Sequence, residues 1–314
     1  MYGEIMALLT NLSFALSFVL ARKIEKEATP IFQNTIRAIV GCLTFLIICI
    51  SLGIFLTVFS LPINVVMTLI LSILFTVILG DTIYLYSQKV LGPPKALAIT
   101  TTTPFFTILF AIIFLGYSIT IQMIISGVLI SMGVIIITTI ETNNQDKKNN
   151  TNNNNYNNLI EKRISKTLIG TLLALLTAIF WAVGIALTDY SINQVDSLLS
   201  LGILSTLIAM FVRFLFASLT LSIITLLESK KTPIPRNRNT WYLLIISAFL
   251  SYSIGSIFFG EAVHYVGASI MSLISTALPL FTIPLSYIIN KEKISKRGLL
   301  GIVIILIGVI LTLF

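Results

Sequence analysis

Ten apolar runs follow one another along this chain of 314 residues, each near the roughly 20 residues that an α-helix needs to cross a bilayer. They fall at about 3–21, 31–52, 63–88, 93–116, 119–140, 167–189, 199–227, 240–260, 265–290 and 296–314. None alternates apolar with polar residues as barrel strands do, so the runs predict lipid-facing helices. Composition agrees: 56% of residues are hydrophobic, 10% are charged, and the mean hydropathy is +1.01. A soluble fold needs far more polar surface. The predicted class is an all-α membrane protein.

The formal net charge is +8, which in a soluble protein would suggest nucleic acid. Its distribution points to a lipid bilayer instead, with no nucleic-acid partner. Apart from Arg37 and Arg213, every Lys and Arg lies in alternate loops, at 22–26, 89–95, 147–166, 230–238 and 291–297. Such residues hold loops on the cytoplasmic side. The pattern predicts a multi-pass protein of the cytoplasmic membrane, with both termini outside and the long 141–166 loop inside. Glu4 stands where a signal peptide would carry basic residues, so the first span is expected to remain in the protein. Cys42 and Cys49 share one span, seven residues or about 10 Å apart along a helix, too far for a disulfide.

The second half repeats the first. With an offset of 175 residues, Gly80-Asp81-Thr82-Ile83-Tyr84 falls on Gly255-Ser256-Ile257-Phe258-Phe259, Gly92 on Gly267, Pro104 on Pro279 and Gly133 on Gly308. Loop charge does not repeat. Lys89 and Lys95 match His264 and Ile270, and the cation-free turn Gly116-Tyr117-Ser118-Ile119-Thr120 matches Lys291-Glu292-Lys293-Ile294-Ser295. Repeats lying in opposite orientations in a membrane would read this way. The expected organisation is a first five-helix repeat (1–140), an Asn-rich disordered linker (141–166) and a second five-helix repeat (167–314). Ser126 and Gly133, like Gly301 and Gly308, lie two turns apart on one face. Such small residues let another helix approach closely, in the same chain or in a second copy forming a homodimer.

On several segments the chain resembles the EamA branch of the drug/metabolite transporter superfamily. The resemblance rests on ALLTNLSFALSFVL and its partner ALLTAIFWAVGIAL, and on the arginines of NTIRAIVG and MFVRFLFA. It is most specific in the copies that begin at Gly80 and Gly255. It implies ten helices in inverted five-helix repeats and transport of a small metabolite or drug. It also implies a central cavity lined by helices one, three, four, six, eight and nine. Members carry amino acids, sugars, nucleotide derivatives or toxic organic compounds, so no single substrate follows. Family repeats typically end their fourth helix with a Gly-Glu pair; here the second copy keeps Glu292 and the first has Tyr117. Family members are usually drawn with both termini cytoplasmic, opposite to the charge pattern of this chain.

Intramembrane charges are the residues that most need a reason, since each costs at least about 2.5–3.5 kcal/mol at the bilayer centre. Arg37 and Arg213 are nearly repeat-equivalent. They read either as cations that bind an anionic or zwitterionic solute through forked hydrogen bonds, or as ties to neighbouring carbonyls. Asp81 has Ser256 as its counterpart, so it breaks the internal symmetry, and it lies about 12 Å deeper than Lys89. It reads as a substrate counter-ion or proton site, or as half of a fixed ion pair with Arg37 or another cation. Asp81, Tyr84 and Gln88 form a polar stripe at helical spacing.

Pro104 and Pro279 sit mid-span at matching places, after Thr100 to Thr103 and after Ser275-Thr276. Matched interruptions point to a transporter's site, and nearby hydroxyls such as that of Thr103 can take up the carbonyls a proline frees. Trp181 offers a π-face or a core aromatic. Glu261 and His264 read as near-surface groups at the end of the eighth span, and Asp189 and Asp196 as solvated ones.

No enzyme signature is present: one histidine leaves no multi-histidine metal site, and neither a nucleophile elbow nor a phosphate-cradling Gly-Lys loop occurs. No cofactor is expected. The sequence reads as a secondary transporter of a small molecule, working by alternating access and driven by an ion or substrate gradient. The competing readings are a membrane-embedded enzyme acting on lipid-linked substrates and a helical scaffold that transports nothing.

Overall fold

The computed structural model of the chain describes residues 1–24, 27–91, 93–116, 118, 120–149, 156–228, 234–290 and 296–313. Among them the regular elements are all helical. The first half holds α1 (Tyr2–Ala21), α2 (Pro30–Ser51), α3 (Ile63–Ile73), α4 (Thr82–Leu91), α5 (Pro93–Thr100), α6 (Thr103–Leu115) and α7 (Ile121–Asn149). The second holds α8 (Tyr156–Leu199), α9 (Ile203–Leu227), α10 (Arg238–Ala248), α11 (Ser256–Ser275), α12 (Pro279–Asn290) and α13 (Lys296–Leu313). Of the Asn-rich tract expected as a linker, residues 150–155 lie outside the described residues.

Among the described residues, six helical segments are long and apolar enough to cross a membrane: Tyr2–Ala21, Pro30–Ser51, Ile63–Leu91, Thr167–Leu199, Ile203–Leu227 and Arg238–Ser275. Shorter apolar helices cover Thr103–Ile113, Ile121–Gly133, Pro279–Ile289 and Leu300–Leu311. In lipid every backbone N–H and C=O must be satisfied within the segment, which is why such runs become helices. Side chains such as Leu56, Ile63 and Leu227, 76%, 70% and 81% exposed, are stable outward only because hydrocarbon surrounds them. The chain is a multi-pass integral membrane protein.

The helices pack mainly across the halves: α2 on α9, α7 on α13, α1 on α11, and α3, α4 and α6 on α8. Phe45 of α2 stacks on Phe214 of α9 with ring centroids 5.6 Å apart, inside the largest buried apolar cluster. The small-residue faces meet within the chain. A Cβ on Gly133 would lie 2.7 Å from the Gly301 carbonyl, and one on Gly308 would lie 3.1 Å from that of Ser126.

Two features depart from the expected spans. The eighth and ninth spans were expected to separate between 260 and 265, but α11 runs from Ser256 to Ser275, disturbed only at Gly267 (φ 76°, ψ 167°). That left-handed backbone favours glycine and is not helical, so the helix breaks there and the two spans part at Gly267, a few residues later than expected. Pro104 and Pro279 likewise do not kink continuous helices. Each stands at or beside the first residue of a new one, α6 and α12, after breaks at Thr101-Thr102 and Thr276–Leu278. Proline is suited to that place, because its missing N–H has no intrahelical partner there.

Candidate functional site

Between α3 and α4 the chain winds as a π-helix over Leu74–Asp81, and between α10 and α11 it does so again over Phe249–Gly255. With the offset of 175 these are the same place in the two halves. A π segment widens the helix and re-aims side chains and carbonyls, and such segments concentrate at functional sites. Both lie against a helix of the opposite half. A Cβ on Gly80 would fall 2.5 Å from Trp181 Cδ1, and one on Gly255 would fall 2.8 Å from Phe14 Cε1. Phe14 and Trp181 are themselves equivalent in the ALLT segments. Each half thus presses an aromatic ring onto the bare glycine of the other half's π segment.

The polar groups are not symmetric. Asp81, the last residue of the first π segment, accepts a hydrogen bond from Trp181 Nε1 at 2.8 Å on one oxygen. Its other oxygen meets the Tyr252 hydroxyl of the second π segment. Tyr252 Oη also lies 2.7 Å from Asn34 Oδ1 on α2. Asn34 is fixed in orientation, because its Nδ2 donates to the Val77 carbonyl at 2.9 Å and to Thr82 Oγ1 at 3.0 Å. The Arg37 guanidinium sits over the Tyr252 ring, 4.3 Å from its centroid, and over Phe18 at 5.7 Å. Arg37 Nε donates to Ser251 Oγ at 3.2 Å.

Arg37 and Asp81 make no ion pair within 4 Å among the described residues; Tyr252 stands between them. The fixed ion pair that the sequence allowed is therefore not the arrangement found. Asp81, Trp181, Phe14 and Phe18 each keep part of their surface accessible.

Arg213 occupies the matching place in the second half. Its guanidinium donates to Thr76 Oγ1 at 3.2 Å, meets Met210 Sδ at 3.3 Å and lies 5.9 Å from the Phe259 ring centroid. Its Nε has no hydrogen-bond partner, although the residue is only 2% exposed. No carboxylate among the described residues pairs with it.

The other expected residues fall as follows. Tyr84 is buried beside Trp181, ring centroids 5.0 Å apart, whereas Gln88, a turn further along α4, is not among the side chains that hydrogen-bond Asp81. Thr103 Oγ1 donates to the Thr100 carbonyl at 2.7 Å, the acceptor that Pro104 leaves without an N–H. Asn11 of α1 reaches the Ile274 carbonyl at 2.5 Å, just before the break that precedes Pro279. Ser256 is buried, its hydroxyl 3.4 Å from the Ser251 carbonyl.

Glu261, expected near the surface, is 2% exposed; Tyr2 donates to one of its oxygens at 3.2 Å and the other is unpartnered. Asp189, expected to be solvated, is fully buried. It accepts from the Ala268 N–H at 2.8 Å and from Asn193 Nδ2 at 2.7 Å. The correction has a physical cause: α8 continues ten residues past Asp189, and the bend at Gly267 frees an N–H that needs an acceptor. Asn193 passes the connection to His264, which faces Asp196 at 3.6 Å.

Sequence reasoning missed Asn34 and Tyr252. The only available signal was a buried amide and a phenol inside apolar runs.

A bundle of apolar helices whose halves meet at buried charged groups defines an integral membrane protein with an interior polar site. The chain belongs to the EamA-like transporter family, which matches residues 1–139 and 168–314. A solved structure described only as "Crystal structure of protein" superposes with a TM-score of 0.73 at 13% identity, covering 99% of this chain and 96% of that one. At that identity the likeness is one of fold alone. None of the curated proteins compared with the chain matches it.

Proposed function

We propose that the protein is a secondary transporter moving a small solute across the cytoplasmic membrane by alternating access. In this reading ten spans form two five-helix repeats of opposite orientation, with both termini outside. The halves rock about a midplane site at Asp81, Arg37, Arg213 and the paired helix breaks. One observation carries it: the bonds that hold Asp81, Arg37 and Arg213 to Trp181, Tyr252, Ser251 and Thr76 all join one half to the other. A scaffold that transports nothing would pair its buried charges, yet Arg213 is unpaired. The packing of equivalent helices on each other, α2 on α9 and α7 on α13, supports a two-fold relation between the repeats.

Proton coupling at Asp81 follows from counting hydrogens. The Tyr252 hydroxyl has one proton but faces two acceptors, Asn34 Oδ1 and Asp81 Oδ2. Asn34 cannot turn its amide over, because Val77 C=O only accepts. A proton on Asp81 completes the chain, from carboxyl to Tyr252 oxygen and from Tyr252 hydroxyl to Asn34. When that proton leaves, Tyr252 must turn to the carboxylate and Asn34 loses its donor. A protonation change is thereby felt in both halves.

The test uses proteoliposomes containing a pH-sensitive dye, with amino acids, sugars, nucleotides and cationic drugs added in turn. Solute-dependent proton flux is expected from the native protein and absent from a folded Asp81→Asn variant. Unchanged driven transport in that variant would refute coupling at Asp81.

A further inference from the structure

Arg37 and Arg213 each donate to a hydroxyl of the opposite half's π segment, Arg37 through Nε and Arg213 through Nη2, and only Arg37 has an acid close by. Arg37 donates to Ser251 Oγ at 3.2 Å, and Arg213 donates to Thr76 Oγ1 at 3.2 Å. Ser251 and Thr76 are the same position of the two π segments under the 175-residue offset. Around Arg37 the next residue along is Tyr252, whose ring lies under the guanidinium and whose hydroxyl carries the Asp81 carboxylate. Around Arg213 the equivalents of those two residues are Val77 and Ser256. The second arginine keeps a more distant aromatic neighbour, Phe259 with its centroid 5.9 Å away, but lacks the close ring and the acid that the first one has.

What remains to Arg213 is one hydroxyl, one thioether, a weak acceptor, and the Phe259 ring. Nε is bare, in a residue 98% removed from solvent in the interior of a membrane-spanning helix. A guanidinium left this way pays a large desolvation penalty unless an anion arrives.

The geometry points to Arg213 as the seat of a carboxylate group on the transported solute. The carboxylate accepts from the Nε edge of the guanidinium, whose planar fork matches a carboxylate in two parallel hydrogen bonds. Arg37, already served by Tyr252, Phe18 and Ser251, is not the anion's partner. This assignment rests on the transporter reading for its role, but the site itself is a matter of binding and is tested without transport.

The experiment is thermal unfolding of the detergent-purified protein at low ionic strength. The probes are sodium acetate, benzoate and phosphate, with benzamide and benzylamine as the neutral and cationic counterparts of benzoate. Acetate and benzoate are expected to raise the midpoint by about 2–4 °C, and benzamide and benzylamine to leave it unmoved. Arg213→Met removes an unpaired buried charge, so its midpoint without anion is expected to equal or exceed that of the native protein, and the carboxylate-dependent rise to vanish. Ser256→Asp supplies the missing acid at the position equivalent to Asp81 and is expected to abolish the rise while keeping the fold.

The assignment is overturned if neither carboxylate stabilises the native protein, or if phosphate or benzylamine does so in their place. It is overturned equally if Arg213→Met lowers the midpoint without anion, or if Ser256→Asp still responds to benzoate. Carboxylate binding without any flux in liposomes would leave the seat standing and remove the transporter reading. Solute-driven proton flux without carboxylate binding would do the reverse.

Discussion

The indole N–H of Trp181 and the carboxylate of Asp81 meet at 2.8 Å across the boundary between the halves, a polar pair made once on a scaffold made twice. Phe14 takes the same place over Gly255 but has no N–H to offer, and Ser256 has no carboxylate to receive one. The ring-on-glycine packing is duplicated in the two halves, whereas the carboxylate stands in the first half only.

Trp181→Phe keeps the ring on Gly80 and removes the donor. Leaving a buried acceptor unsatisfied costs about 1–3 kcal/mol, so chemical unfolding in detergent is expected to show a loss in that range. Phe14→Trp, which adds an N–H with no acid to meet it, is expected to bring no compensating gain.

Gly80→Ala places a Cβ 2.5 Å from Trp181 Cδ1 and 2.6 Å from the Phe75 carbonyl. The backbone oxygen cannot retreat as a side-chain tip can. Overpacking of this kind costs about 1–3 kcal/mol, and the thermal midpoint is expected to fall accordingly. Because the indole also holds Asp81, the same variant is expected to weaken pH-driven flux. Gly255→Ala, with a milder approach of 2.8 Å to Phe14 Cε1, is expected to lose stability alone.

Asp189→Ala leaves the Ala268 N–H and the Asn193 amide without their acceptor. Unmade hydrogen bonds to a buried carboxylate at a helix break cost about 2–3 kcal/mol. Unfolding measurements are expected to show that loss, and hydrogen exchange at Ala268 is expected to quicken.

These positions differ in how far they could be read from the chain alone. The apolar runs, the small faces of α7 and α13, the matched prolines and the asymmetry of Asp81 are all local patterns or internal comparisons, so they were legible. The carbonyl beside Pro104 is satisfied by Thr103, three residues from its target, again a local matter. Tyr252 and Asn34 were not legible, because they meet Asp81 and each other only when segments 171 and 218 residues apart come together. The π segments have no sequence mark comparable to a proline. They show only when the opposite half's aromatic ring is seen lying on their glycine. Asp189 was misplaced for a related reason: its burial depends on a bend at Gly267, in another helix.

Loop charge predicts sidedness. Single cysteines at Lys89, Lys230 and Lys291 are expected to react with an impermeant thiol reagent from one side of oriented vesicles, and cysteines at Ser60, Gly116 and Ser200 from the other. The native Cys42 and Cys49 are buried, so the background is small. Labelling of the Lys230 and Lys291 positions from opposite faces would contradict the inverted arrangement.

The most direct test asks whether one position between the halves opens to both sides of the membrane. Phe14, partly accessible beside the second π segment, is replaced by cysteine in a protein lacking Cys42 and Cys49, and an impermeant thiol reagent is applied from each side in turn. Alternating access predicts reaction from both sides, with the balance between them shifted by a pH gradient and insensitive to it after Asp81→Asn. Reaction from one side only, or from neither, under every gradient would contradict the account.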